Sequence, residues 1–101
     1  MQITQRVNDG KAVLSLGGRF DFNTHREFRD GYESLLGKSG LQSFDIDLSA
    51  VEYLDSSALG MLLLLKERAT AKNVKVALVG CKGTVKQILE IANFSKLFTI
   101  S

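Results

Sequence analysis

The chain has no proline, one cysteine (Cys81) and one histidine (His25). Without proline, every break between elements has to come from Gly, Asn, Asp or Ser. A lone cysteine rules out an internal disulfide and fits a reducing compartment, so the expected location is cytoplasmic. One cysteine and one histidine cannot make a four-ligand zinc site, and no P-loop is present, so neither a metal nor another cofactor is expected. Long apolar runs are also missing. The longest, Met61 to Leu65, falls far short of the roughly 20 residues a spanning helix needs. The start, Met1-Gln2-Ile3-Thr4-Gln5-Arg6, carries no apolar stretch after its charges, and neither end shows a lipidation signal. Membrane insertion and secretion are therefore not expected.

A strong charge of one sign is absent too: 13 Lys and Arg against 11 Asp and Glu leave a formal charge of +2. The basic residues are scattered rather than gathered in a stripe, so the footprint of a nucleic-acid binder is missing. What is present is a globular balance, 45% apolar and 24% charged over 101 residues. That suits one domain with one core, residues 1–101, and is too little for two.

Ile3 to Val7 and Ala12 to Leu16 flank the turn cluster Asn8-Asp9-Gly10 and read as a hairpin that Gly17-Gly18 closes. Thr24-His25-Arg26-Glu27 has the spacing of a capping box. Phe28, Tyr32, Leu35 and Leu36 then recur at helical spacing, and Gly37 is placed to stop that helix in a left-handed conformation. Phe44, Ile46 and Leu48 alternate as in a strand, Ala58 to Ala71 reads as a second helix, and Val74 to Val79 as a β-branched strand ended by Gly80. Val85, Ile88, Leu89 and Ala92 make a third amphipathic helix that Asn93 ends, and Phe94, Leu97, Phe98 and Ile100 form a last short strand. The order ββαβαβαβ predicts an α/β fold, a mixed sheet with helices laid on it.

The segment Glu52-Tyr53-Leu54-Asp55-Ser56-Ser57-Ala58-Leu59-Gly60 lies at the junction between a strand and the second helix. Asp and Ser are preferred N-cap residues there, but a cap needs only one of them. At about 100° per residue, Ala58, Leu62, Leu65 and Ala69 form one apolar stripe, while Ser56, Gly60, Leu63, Leu64 and Glu67 lie roughly opposite. Either that second side is a docking face, or the helix is buried on both sides beneath a neighbour. A phosphate on a serine at the positive end of a helix meets backbone N–H donors. It also adds roughly −1.5 to −2 charge, enough to repel a partner that accepts the bare hydroxyl.

Asp47 to Gly60 resembles the signature of STAS domains, specifically the stand-alone bacterial anti-sigma factor antagonists, and the likeness runs over almost the whole chain. Gly18-Arg19-Phe20-Asp21 resembles the family's G-x-hydrophobic-D before the first helix, and Val85 to Phe98 its terminal helix and Leu-Phe close. The resemblance implies the STAS fold, with a central mixed sheet of four to five strands. It implies that the serine directly after the Asp, here Ser56, is phosphorylated by a kinase-type anti-sigma factor with a histidine-kinase-like ATPase domain. It implies further that the unmodified form binds that factor and frees a sigma factor, and that a metal-dependent PP2C-type serine phosphatase restores the unmodified form. The partner-binding set carried over is Asp21, Asp55, Ser56, Ser57, Gly60, Leu63, Leu64 and Glu67. Asp55 positions Ser56 or caps the helix, and Ser57 is a neighbour modified poorly or not at all. Ala58 departs from the family's usual Gly, and its methyl is expected to narrow the partner's approach.

Two rival classes differ in what they require. A serine nucleophile needs a base and an oxyanion site, and His25 sits in a helix-start sequence with no motif around it, so no enzyme is expected. Cys81, just after Gly80, reads as a small buried apolar residue. A constitutive adaptor, such as the cytosolic STAS subunit of a lipid-transport complex or another signalling assembly, would use the docking face without phosphorylation.

Overall fold

The computed structural model describes the whole chain, Met1–Ser101. Strand β1 (Gln2–Asn8) turns into β2 (Lys11–Phe20) through Asp9 and Gly10, with φ +48° and +80°. A two-residue loop with both φ positive matches the twist of a hairpin, which is what the Asn-Asp-Gly cluster suggests. Gly17-Gly18 does not close β2. The strand continues to Phe20, and its register against the next strand shifts between Ser15 and Gly17 and again between Gly18 and Arg19. The glycine pair absorbs an irregularity in the strand instead of ending it, with Gly18 at φ +88°.

A 3₁₀ turn (Phe22–Thr24) leads into α1 (His25–Leu36). The expected capping box is shifted by three residues. Thr24 makes no side-chain cap for α1; its hydroxyl instead accepts the Asp21 N–H at 3.2 Å and donates to the Asp21 carbonyl at 2.8 Å. The Asp21 carboxylate in turn accepts the Asn23 N–H at 3.0 Å, so the box closes the 3₁₀ turn. Gly37 ends α1 at φ −74°, not in the left-handed region, which is entered only at Gly40.

Strand β3 (Ser43–Leu54) runs six residues beyond Leu48, because the extended β2 gives it partners: Gly18 pairs with Val51 and Phe20 with Leu54. Then come α2 (Ser56–Ala71), β4 (Lys75–Val79) and α3 (Gly83–Ile91). Gly80 ends β4 at φ +69°, and Asn93 leaves α3 at φ +61° in the left-handed conformation that Asn tolerates. The last apolar segment divides into a 3₁₀ turn (Phe94–Lys96) and β5, which holds only Thr99–Ile100.

The five strands lie in sequence order, β1 antiparallel to β2 and the others parallel. Alternation sorts the two faces: Ala12, Leu14, Phe44, Ile46 and Leu78 are fully buried, whereas Val13, Ser15, Asp45, Asp47, Ala77 and Val79 are half-exposed. Buried residues of all three helices join the first face in one continuous core. Each fully buried leucine or phenylalanine contributes roughly 1.5–3 kcal/mol.

Gly18 and Gly80 both have positive φ but differ in surroundings. A methyl on Gly18 meets nothing within 4 Å, while one on Gly80 lies 2.8 Å from Asp47 Oδ1 and 2.8 Å from Ser49 Cβ. In urea unfolding, Gly18→Ala is expected to cost about 1–2 kcal/mol from the backbone alone. Gly80→Ala is expected to cost clearly more. Equal losses would contradict the close packing of the Gly80 turn on β3.

Candidate functional site

The junction of β3 and α2 is built by Asp55. Its backbone is extended (φ −108°, ψ −176°), and its carboxylate accepts the Ala58 N–H at 2.9 Å. Its own N–H donates to the Phe20 carbonyl at 3.3 Å. The exit of β2 and the start of α2 therefore adjoin, and Asp21, one residue beyond β2, borders the same end of the sheet. Asp21 has local work of its own: it caps the 3₁₀ turn and its Oδ2 lies 3.6 Å from Arg19 Nε.

With Asp55 as the cap, the two serines are left over. Neither hydroxyl makes a hydrogen bond; Ser56, the first residue of α2, is exposed, and Ser57 is half-buried. Along α2 the predicted stripe of Ala58, Leu62, Leu65 and Ala69 is fully buried. Ser56, Gly60, Leu63, Leu64 and Glu67 are all exposed, the two leucines by 39% and 54%, so the helix is not buried on both sides. A Cβ on Gly60 would meet nothing within 4 Å, so the fold does not require a glycine there. The expectation for Ala58 is corrected: its side chain has no exposure, so the methyl packs in the core and narrows nothing outside.

Three neighbours were not singled out by sequence. Phe22 is 64% exposed, with its ring stacked 5.0 Å from that of His25, and Tyr53 is 40% exposed with the Arg19 guanidinium 4.4 Å from its ring centroid. Arg19 and Tyr53 are directly paired across β2 and β3. Tyr53 and Arg19 become legible once both strands are extended; Phe22 has no periodic signal, because it falls in the short turn. His25 Nδ1 lies 2.8 Å from the Phe22 carbonyl, a local contact at the helix start. Cys81 is buried, and burial pushes its thiol pKa up, so it is not activated as a nucleophile. No cluster of three or more His, Cys, Asp or Glu residues is arranged to hold a metal ion, and no helix is long and apolar enough to cross a membrane.

Comparison with known proteins adds the family. The sequence pattern of the STAS domain matches residues 2–101. A STAS-domain containing protein of Pseudomonas aeruginosa (strain UCBPP-PA14) is 45% identical over 94 residues, covering 92% of this chain and 91% of that protein. Among solved structures, a putative anti-sigma factor antagonist from Thermotoga maritima superposes with a TM-score of 0.86 at 20% identity, over 97% of this chain and 84% of that one. The anti-sigma factor antagonist SpoIIAA of Bacillus, in its unphosphorylated form, gives 0.75 at 14% identity over 99% and 87%. Its phosphorylated form gives the same score. At these identities the structural likenesses show the fold alone.

The cap and the open glycine make opposite predictions for stability. Asp55→Ala removes the cap hydrogen bond and is expected to lose about 0.5–2 kcal/mol. Gly60→Ala, in an exposed helix interior, is expected to gain up to about 1 kcal/mol. Thermal unfolding of the two variants checks both; a destabilised Gly60→Ala would mean that the fold itself needs the glycine.

Proposed function

The chain belongs to the STAS domain family, and from that premise we propose that it is a phosphorylation-controlled anti-sigma factor antagonist with Ser56 as its switch. In its unmodified form it binds a kinase-type anti-sigma factor through the outer face of α2 and thereby frees a sigma factor. The kinase partner is a histidine-kinase-like ATPase domain, and a PP2C-type serine phosphatase returns Ser56 to the bare hydroxyl. The protein acts in the cytoplasm and catalyses nothing itself.

One observation carries this reading: Ser56 is exposed and unbonded at the first position of α2 while Asp55 alone satisfies the cap. The serine is thus free for a role the fold does not assign. A phosphate there lies at the positive end of a 16-residue helix, where the dipole and free N–H groups favour an anion. The same phosphate sits next to the Asp55 carboxylate and at the end of the ridge that carries Gly60, Leu63 and Glu67, so the face changes charge without unfolding. Leu63, Leu64, Phe22 and Tyr53 supply apolar area for the partner, and Gly60 lets its backbone come close.

Titration calorimetry against the ATPase domain of an anti-sigma factor from the same genome tests the switch. Ser56→Ala is expected to bind like the unmodified protein. Ser56→Asp is expected to bind at least about tenfold more weakly, about 1.4 kcal/mol. Equal affinity for wild type and both variants would overturn the switch and favour a constitutive adaptor.

The docking face has a separate test. Leu63→Glu and Leu64→Glu are each expected to abolish measurable binding while leaving the thermal midpoint within a few degrees of wild type, since surface substitutions usually change stability by about 0.5 kcal/mol or less. Retained binding would move the interface elsewhere, and a collapsed midpoint would place those leucines in the core.

A further inference from the structure

The two edges of the sheet differ. β5 holds only two residues, whereas β1 is a regular edge of seven, its register against β2 unbroken from Gln2–Gly17 to Asn8–Lys11. Long edges are ordinarily shielded by proline, lysine or a bulge. β1 has none of these, and its one charge, Arg6, makes no ion pair. The hairpin tells which backbone groups are free. In a two-residue loop with both φ positive, the flanking residues Asn8 and Lys11 form a hydrogen-bonded pair, and such pairs alternate along the ladder. Gln2, Thr4 and Arg6 therefore bond to β2, while the N–H and C=O groups of Ile3, Gln5 and Val7 point out of the sheet and find no other backbone partner.

The sequence of β1 selects what pairs with it. Laid antiparallel on a second copy about Gln5, the whole strand stays in register: Ile3 meets Val7 of the other copy, Thr4 meets Arg6 and Gln2 meets Asn8. Ile3, Gln5 and Val7, whose free groups face outward, then become the hydrogen-bonded pairs. Val7, 45% exposed in its own fold, gains an isoleucine beside it. Centring on Arg6 instead would oppose two guanidinium groups and shorten the ladder. The helix layer fits the same two-fold axis. Gln5 Nε2 donates to the Gly31 carbonyl at 3.3 Å, and a Cβ on Gly31 would lie 3.7 Å from Ile3 Cγ2, so α1 rests directly on β1. Because α1 packs over both β1 and β2, a continued sheet with strands about 4.8 Å apart sets the two α1 helices antiparallel about 10 Å apart, close to packing distance. The flank of α1 that carries Gly31 also carries Glu27, Ser34 and, just past the helix, Lys38, all three exposed. Neither Glu27 nor Lys38 is ion-paired. The antiparallel arrangement brings Glu27 of each copy toward Lys38 of the other, across a centre kept small by Gly31 and Ser34.

We propose that β1 is a dimerisation strand: a second copy of this chain pairs antiparallel along it about Gln5, making one continuous sheet with both helix layers on the same side. The contact is isologous and closes on itself, so assembly stops at two, and the outer ridge of α2 stays open in each copy. The test is sedimentation velocity of the full chain over a range of concentrations, joined to hydrogen exchange at single amides. A monomer–dimer equilibrium is expected, with the amides of Ile3, Gln5 and Val7 losing protection on dilution while those of Thr4 and Arg6 do not change. Thr4 is exposed, so changing it leaves the fold intact. Thr4→Arg sets an arginine opposite Arg6 of the other copy and is expected to weaken the dimer about tenfold; Thr4→Glu sets a carboxylate there and is expected to tighten it. Should Thr4→Arg not fold, Val7→Lys serves, with a loss in the same direction. The proposal is overturned by a chain that stays monomeric up to millimolar concentration, by growth beyond the dimer, or by a dimer indifferent to the charge at position 4.

Discussion

The hydrogen bond from the Ala58 N–H to the Asp55 carboxylate fixes where α2 begins, and most of the proposed function depends on that start. Moving a helix start by one residue would rotate its faces by about 100°. As the cap stands, Ala58, Leu62, Leu65 and Ala69 reach the core and Ser56, Gly60 and Glu67 face outward. The second bond of Asp55, from its N–H to the Phe20 carbonyl, ties that start to the end of β2. One residue thus places the serine, the ridge and the adjoining Arg19–Tyr53 pair at one end of the sheet.

This arrangement separates the side of α2 that holds the core from the side that faces outward. The sheet-facing stripe of α2 is wholly buried, while the opposite ridge is exposed, and a Cβ on Gly60 would meet nothing within 4 Å. Charge added at the head of such a ridge alters what the surface accepts and leaves the core untouched. The cap is satisfied by a carboxylate, so the neighbouring hydroxyl is not held by the helix it begins. The departure at Ala58 fits the same division, because its methyl packs inward against the sheet.

Much of this was legible in the sequence, and the failures have physical causes. The order of elements and the apolar stripe of α2 follow from period alone, and Asp9-Gly10 and Asn93 supply the positive φ that their residue types suggest. Gly17-Gly18 misled because glycine ends a strand or bulges it with the same local chemistry; only the partner strand decides. The length of β3 was hidden for the same reason, since Ala50, Val51, Tyr53 and Leu54 pair with a β2 that the glycines allow to continue. Thr24 misled because two residues, Glu27 and Asp21, stand three positions from it on either side, and the hydroxyl turned back to the second. The family pattern points to Ser56, and the fold adds that Asp55 does the capping without it.

The most direct measurement is phosphosite mapping by tandem mass spectrometry on the protein isolated from its own cells during growth and under stress. The account predicts phosphate on Ser56, with Ser57 little or not at all modified, in a proportion that changes with condition. A protein bare at Ser56 in every condition would contradict it and leave the exposed ridge of α2 as the surface of a constitutive adaptor.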